Sequence, residues 1–134
     1  MDRSQAKRPL IACLLALAAA APARAACGPE ATQMELNACA GAEFGAADAE
    51  LNRLYKRITA RLGADKAPLV AAQRAWIAYR DAECAFVASS VAGGSIAPMI
   101  RAGCLADLTR ARVEDFKKLL DCEEGDPACP VPPG

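Results

Sequence analysis

Apolar residues recur at helical spacing along three stretches of this chain. In the first, Phe44, Ala47, Leu51, Leu54, Tyr55, Ile58 and Leu62 lie three and four residues apart and so share one face of a helix. The second runs through Leu69, Gln73, Trp76, Arg80, Cys84, Val87 and Val91, and the third through Ile96, Ile100, Cys104, Leu108, Ala111 and Leu119. The second stripe is mixed. Gln73 and Arg80 flank the only Trp at one turn on either side, and inside a core such groups need hydrogen-bond partners from another helix. The core expected from these faces is centred on Trp76, Leu51, Tyr55 and Leu108.

End signals fit the same three elements. Thr32-Gln33-Met34-Glu35 is a capping box, which starts the first helix at Thr32, and Gly63 stops it. Gly41 and Gly45 predict a kink or a split in its early turns. Asp65 reads as the N-cap of the second helix, with Pro68 inside its first turn and its end near Val91. Gly93-Gly94 breaks the chain, Ser95 reads as the next cap, and the third helix ends near Leu120. Beyond Asp121 the composition turns to Cys, Gly, Pro and acid, a tail without helix-forming character. No stretch alternates as a strand. Short connections make successive helices antiparallel, so the expected fold is all-α, an up-down-up three-helix bundle.

The segment before the first helix is not part of that bundle. Met1 to Pro9 carries Arg3, Lys7 and Arg8, Leu10 to Ala21 is uninterruptedly apolar, and Ala23-Arg24-Ala25 is a small-x-small cleavage site. This is the form of a secretory signal peptide over residues 1–25, too short in its apolar run to stay in a bilayer. Leu10-Ile11-Ala12-Cys13 has the letters of a lipoprotein box without a hydrophobic region before it. The chain therefore divides into 1–25 (signal peptide), 26–121 (helical domain) and 122–134 (tail), in a protein exported to the periplasm or beyond. Removing the signal takes four bases and one acid from 16 of each, leaving 12 bases against 15 acids. A mature chain of this charge has no basic footprint for nucleic acid or anionic lipid, whereas a basic protein partner suits it.

Of seven cysteines only Cys13 lies in the signal, and six in an oxidising compartment predict three disulfides. Zinc is the competing use of cysteine, but the chain has no His and no C-x-x-C pair, so no metal or cofactor is expected. The pairing follows from bundle geometry. Cys84 and Cys104 stand ten residues before and after Gly94, hence at one height on facing helices, and should bond to each other. Cys122 returns to the level of the first loop while Cys39 sits at the opposite end, beyond the ~7 Å that a bridge allows between Cα atoms. Cys27 with Cys39 and Cys122 with Cys129 follow by elimination. Staples matter here because hydrophobic residues make up 54% of the chain but 33 residues are Ala, which bury little area each.

Three features are candidates for function. Asp48, Asn52, Gln73, Arg80 and Arg112 form either a ligand site or a polar network that fixes helix register; an Arg on an apolar stripe with a carboxylate available favours the network. Gly93-Gly94-Ser95, near Glu30 and Glu35, is either a tight turn or a protrusion that enters a partner's cleft. The run Glu123-Glu124-Gly125-Asp126 is either solvated or a contact for a basic partner. No catalytic arrangement is apparent, since there is no His and no nucleophile beside an activating base.

These residues resemble the N-terminal domain of LprI-type lysozyme inhibitors, small exported helical domains of bacteria. The resemblance spans most of the mature chain. It is carried by Cys27 with Thr32-Gln33 and Asn37-x-Cys39, by Ala47-Asp48-x-x-Leu51-Asn52-x-x-Tyr55, and by Gln73-Arg74-x-Trp76-x-x-Tyr79-Arg80-Asp81-x-x-Cys84. Gly93-Gly94-Ser95, Cys104 and Leu108-Thr109-x-x-Arg112 complete it, whereas Cys122 and Cys129 fall outside it. What the resemblance implies is a protein-binding module whose partner is a basic lysozyme, not an enzyme. A structural or ligand-binding module of the cell envelope is the alternative that charge, export and staples fit equally.

Overall fold

In a computed structural model, residues 27–123 and 125–133 are described; the expected signal peptide and Glu124 lie outside them. Three helices dominate: α1 (Gln33–Leu62), α2 (Ala67–Val87) and α3 (Ala97–Leu120), with short 3-10 turns at Gly63–Lys66 and Ser89–Val91. Among the described residues there is no strand, and no helix is long and apolar enough to cross a membrane.

The course is up-down-up. At one end Asn37 of α1 donates to the Ser95 carbonyl just before α3, and at the other Arg61 donates to the Leu120 carbonyl, so α1 and α3 run parallel. Between α2 and α3 the pairs run in opposite order, Cys84 with Cys104 and Gln73 with Arg112, so α2 is antiparallel to both. The largest helix interface is that of α1 with α3. Small residues permit it, since Ala47 and Ala106 are buried.

The capping box forms at Thr32, whose hydroxyl accepts from the Glu35 amide while the Glu35 carboxylate accepts from the Thr32 amide at 2.7 Å. Contrary to the kink expected at Gly41 and Gly45, α1 continues without interruption for 30 residues; both glycines are exposed, and a helix can carry them at a propensity cost of about 1 kcal/mol each. Gly63 does end α1, at φ 56°, a conformation that a side chain would strain. Asp65 is not a cap. It lies inside the 3-10 turn that joins α1 to α2, and α2 starts at Ala67 from a helical Lys66 with Pro68 in its first turn. Because the backbone never leaves the helical region at Leu62 or Lys66, no extended residue exists there for a side-chain cap to act from. The second helix also stops at Val87 rather than Val91, its last turn tightened to 3-10 form, and Ser95 makes no cap bond, since Ile96 precedes α3 in helical conformation.

The core consists of Leu51, Leu54, Ile58, Val113, Phe116 and Val131, with Tyr55, Leu62, Leu69, Trp76, Leu119 and Leu120 packed at its edge. One correction follows. The inner face of α3 is Leu105, Ala106, Thr109, Val113 and Phe116, not the stripe through Leu108 and Ala111. Leu108 is half-buried and Ala111 exposed because α3 meets α1 on one side and α2 on another, which turns its most buried line between the two. The tail also contributes to the core: Val131 is only 3% exposed and packs with Phe116 in it.

Three disulfides join Cys27 to Cys39, Cys84 to Cys104 and Cys122 to Cys129, with Cα separations of 6.1, 5.5 and 5.8 Å. The first holds the approach to α1, the second locks α2 to α3, and the third closes the loop from which Val131 turns inward.

Candidate functional site

The polar residues on the α2 stripe are inside. Arg80 and Gln73 are 7% and 8% exposed, and Thr109 of α3 is fully buried beside them. Arg80 donates through Nη1 to Asp48 Oδ1 at 3.3 Å and to Thr109 Oγ1 at 3.4 Å, and through Nε to Asp81 Oδ1 at 3.0 Å. Arg112 donates through Nε to Gln73 Oε1 at 3.3 Å. No buried side-chain nitrogen or oxygen among the described residues lacks a partner, which is the condition for keeping such groups in a core.

Aromatic rings complete this network. The Arg80 guanidinium lies 5.2 Å from the Phe44 ring centroid and 5.1 Å from that of Trp76, and Arg112 lies 5.8 Å from Trp76 and 4.7 Å from Phe116. Phe44, Arg80, Trp76, Arg112 and Phe116 therefore form one ladder of rings and cations across all three helices. Weakly hydrated, planar guanidinium groups suit such stacking better than ammonium groups would. Of the residues expected in the network, Asn52 stands apart: it is exposed and bonds only Asp48 Oδ2, at 2.9 Å, one turn away on α1. Thr109, Phe44 and Phe116 are the members that the sequence reading passed over. Phe116 could have been found by following α3 in steps of three and four from Thr109.

The Asp48 side chain is 39% exposed and that of Asp81 47%, so the carboxylates sit at the mouth of the network and the cation within. Every donor of the interior is engaged by the protein itself. These bonds tie α2 to α1 through Asp48 and to α3 through Thr109 and Arg112. Among the described residues there is no group of three or more His, Cys, Asp or Glu that could hold a metal.

Two surfaces remain. One is the end where α1 and α3 begin and α2 finishes. Gly93 takes φ 80° there, in a turn closed by Gly94 donating to the Val91 carbonyl, and Ser95 is tied to α1 by Asn37. Gln33, one turn before Asn37, lies against Met99 of α3. At this end Glu30 and Glu35 are exposed, Glu35 on the side of α1 that also lines a groove between α1 and α3, with Arg101 the basic residue of the first turns of α3. The cap bond to the Thr32 amide, then that to its hydroxyl, holds the Glu35 carboxyl below its ordinary range, so it is charged at neutral pH. The same end carries large apolar side chains in solvent: Met34 at 77%, Val87 and Ile96. The sequence stripes placed Val87 and Ile96 on inner faces; both are exposed, Val87 as the last residue of α2 and Ile96 as the residue before α3.

The other surface is a groove of about 950 Å³ between α1 and α3, floored by Ala38, Ala42 and Ala46 and lined by no residue of α2. Arg110 bridges to Glu43 at 2.6 Å and Lys117 to Glu50 at 3.5 Å along its walls, pairing most of its charge internally. The bond to Glu43, with Asp107 adding to it, holds Arg110 above its ordinary basic range, and the bond to Glu114, with Glu50 adding to it, does the same for Lys117.

An uncharacterized protein, R02472 of Rhizobium meliloti (strain 1021), is 40% identical over 129 residues, which covers 86% of this chain and 93% of the relative. No solved structure matches the chain. The model of the family described as lysozyme inhibitor LprI matches residues 23–116, which takes in all three helices up to Phe116, and the chain belongs to that family.

Proposed function

We propose that the mature protein, exported and released from its signal peptide, inhibits a cationic lysozyme by occluding its substrate cleft, using the turn end of the bundle. The observation that carries this reading is the composition of that end. Met34, Val87 and Ile96 are exposed at this end of the bundle, as are Glu30 and Glu35. An interface needs an apolar centre with a polar rim, and acidity steers the approach to a basic partner. A lysozyme cleft carries two carboxylates in an otherwise basic protein, so a glycine-rich protrusion without charge, Gly93-Gly94-Ser95, can enter where an acidic one would be repelled. The reading requires no chemistry from the inhibitor. Membership of an inhibitor family supports the same conclusion.

The test is the clearing of bacterial cell-wall suspensions by lysozyme with and without the mature protein, repeated across salt concentrations. Clearing slows as inhibitor is added, and the effect weakens with salt. Unchanged clearing at about tenfold excess, over several lysozyme classes, would contradict the reading and leave a structural role in the cell envelope.

A further inference from the structure

Helix α2 has a second apolar face. Its inner line is Gln73, Trp76, Arg80 and Cys84, and on the opposite side Tyr79 is 54% and Phe86 73% exposed, seven residues apart along one edge. Between that edge and the next lie Ala71, Ala75, Ala78, Ala82 and Ala85, all exposed, at alternating steps of four and three. Residues at that spacing stay on one line along two helices that coil about each other. Side chains this small let two backbones approach closely, and the aromatic pair supplies the area that alanine lacks.

The far edge of this face identifies the occupant. It carries Arg74 and Asp81, again seven residues apart and of opposite sign. Arg74 is exposed and makes no ion pair among the described residues, and the Asp81 side chain is 47% exposed although one oxygen receives Arg80. A helix bearing a cation and an anion two turns apart is complementary to itself run in the opposite direction. We infer that α2 is the interface of a homodimer, in which a second copy lies antiparallel on this face about an axis near Ala78. Arg74 of each copy then meets Asp81 of the other, twice, in an isologous contact. The turn ends point away from each other in this arrangement, so one dimer presents two of them.

A single helix pair buries less than the roughly 800 Å² per partner of a standard interface, which makes this a weak association in the range of tens of micromolar. Sedimentation equilibrium and light scattering of the mature, oxidised protein from about 10 µM to about 1 mM therefore read it directly. The mass should rise from one protomer towards two. Ala78→Glu puts two like charges at the axis without touching the core, and should leave a monomer with unaltered circular dichroism and melting. Arg74→Glu should weaken association by about tenfold. Ala78→Cys should form a disulfide-linked dimer readily, whereas Ala60→Cys, exposed on α1, should not. A constant monomer mass up to about 1 mM, or a dimer that survives Ala78→Glu, would overturn the inference. Lysozyme inhibition per protomer should be unchanged in Ala78→Glu, so either reading can fail while the other stands.

Discussion

Arg80 shows most directly how single residues hold this molecule together. Its guanidinium is stacked between Phe44 and Trp76 and bonded to Asp48, Asp81 and Thr109, so one side chain touches all three helices. Arg80→Ala should lower stability by about 2 to 4 kcal/mol in chemical denaturation, through lost packing between rings and an unpartnered Thr109 hydroxyl. Arg80→Lys should recover little, because an ammonium cannot stack on two rings while bonding three partners. Asp48→Ala should cost only about 1 kcal/mol, since its carboxylate stands at the mouth where water replaces the lost bond. Glu35 gives a prediction in pH. Its folded pKa is lowered by the cap, so its contribution is complete above the ordinary glutamate range and disappears as pH falls through the lowered value. The protection of the Thr32 amide, measured against its intrinsic exchange rate at each pH, should fall on acidification in the wild type and stay flat with pH in Glu35→Gln, whose amide oxygen can still accept. At this scale the sequence was legible where a residue broke its own pattern. Arg80 and Gln73 announce themselves by interrupting an apolar stripe. Thr109 does not, because a hydroxyl on a helix reads as neutral, and Phe44 and Phe116 look like ordinary core residues until the cations between them are located.

Among the elements, α1 and α2 could be oriented from periodicity because each buries one line. For α3 the same method fails, since a helix that faces two neighbours has two apolar lines, and Leu108 and Ala111 made the wrong one look continuous. The bridge from Cys84 to Cys104 depends only on the hairpin, whose turn Gly93 fixes at φ 80°, so counting from the turn suffices to place it. Replacing both cysteines by Ser should cost about 3 kcal/mol for a loop of 20 residues in the chain-entropy model, seen as a lower melting temperature under oxidising conditions. Compositional reasoning goes furthest astray in the tail. Proline, glycine and acid indicate the absence of helix, and they do, but they say nothing of the single Val131 that the Cys122–Cys129 loop turns into the core. Val131→Ala should destabilise the protein by about 1 to 2 kcal/mol, and deleting residues 122–133 should cost more than that, in thermal melts of the oxidised protein.

Taken as a whole, the molecule keeps its order inside and its candidate contacts at one end. The ladder of rings and cations, the core and three disulfides make a rigid bundle, and rigidity lets an inhibitor bind without the entropy cost of ordering a loop. Val87 could not be placed from sequence, because an apolar residue at helical spacing is core by default and its exposure follows from α2 ending there. The measurement that tests the account most directly is a titration of isotope-labelled mature protein with a cationic lysozyme, read by the amide chemical shifts of each residue. The account predicts shifts confined to residues 28–37 and 87–99, with the Cys122–Cys129 end undisturbed. Shifts centred on residues 121–131 or on the groove walls at Glu43, Glu50, Arg110 and Lys117, or no shifts at all, would contradict it.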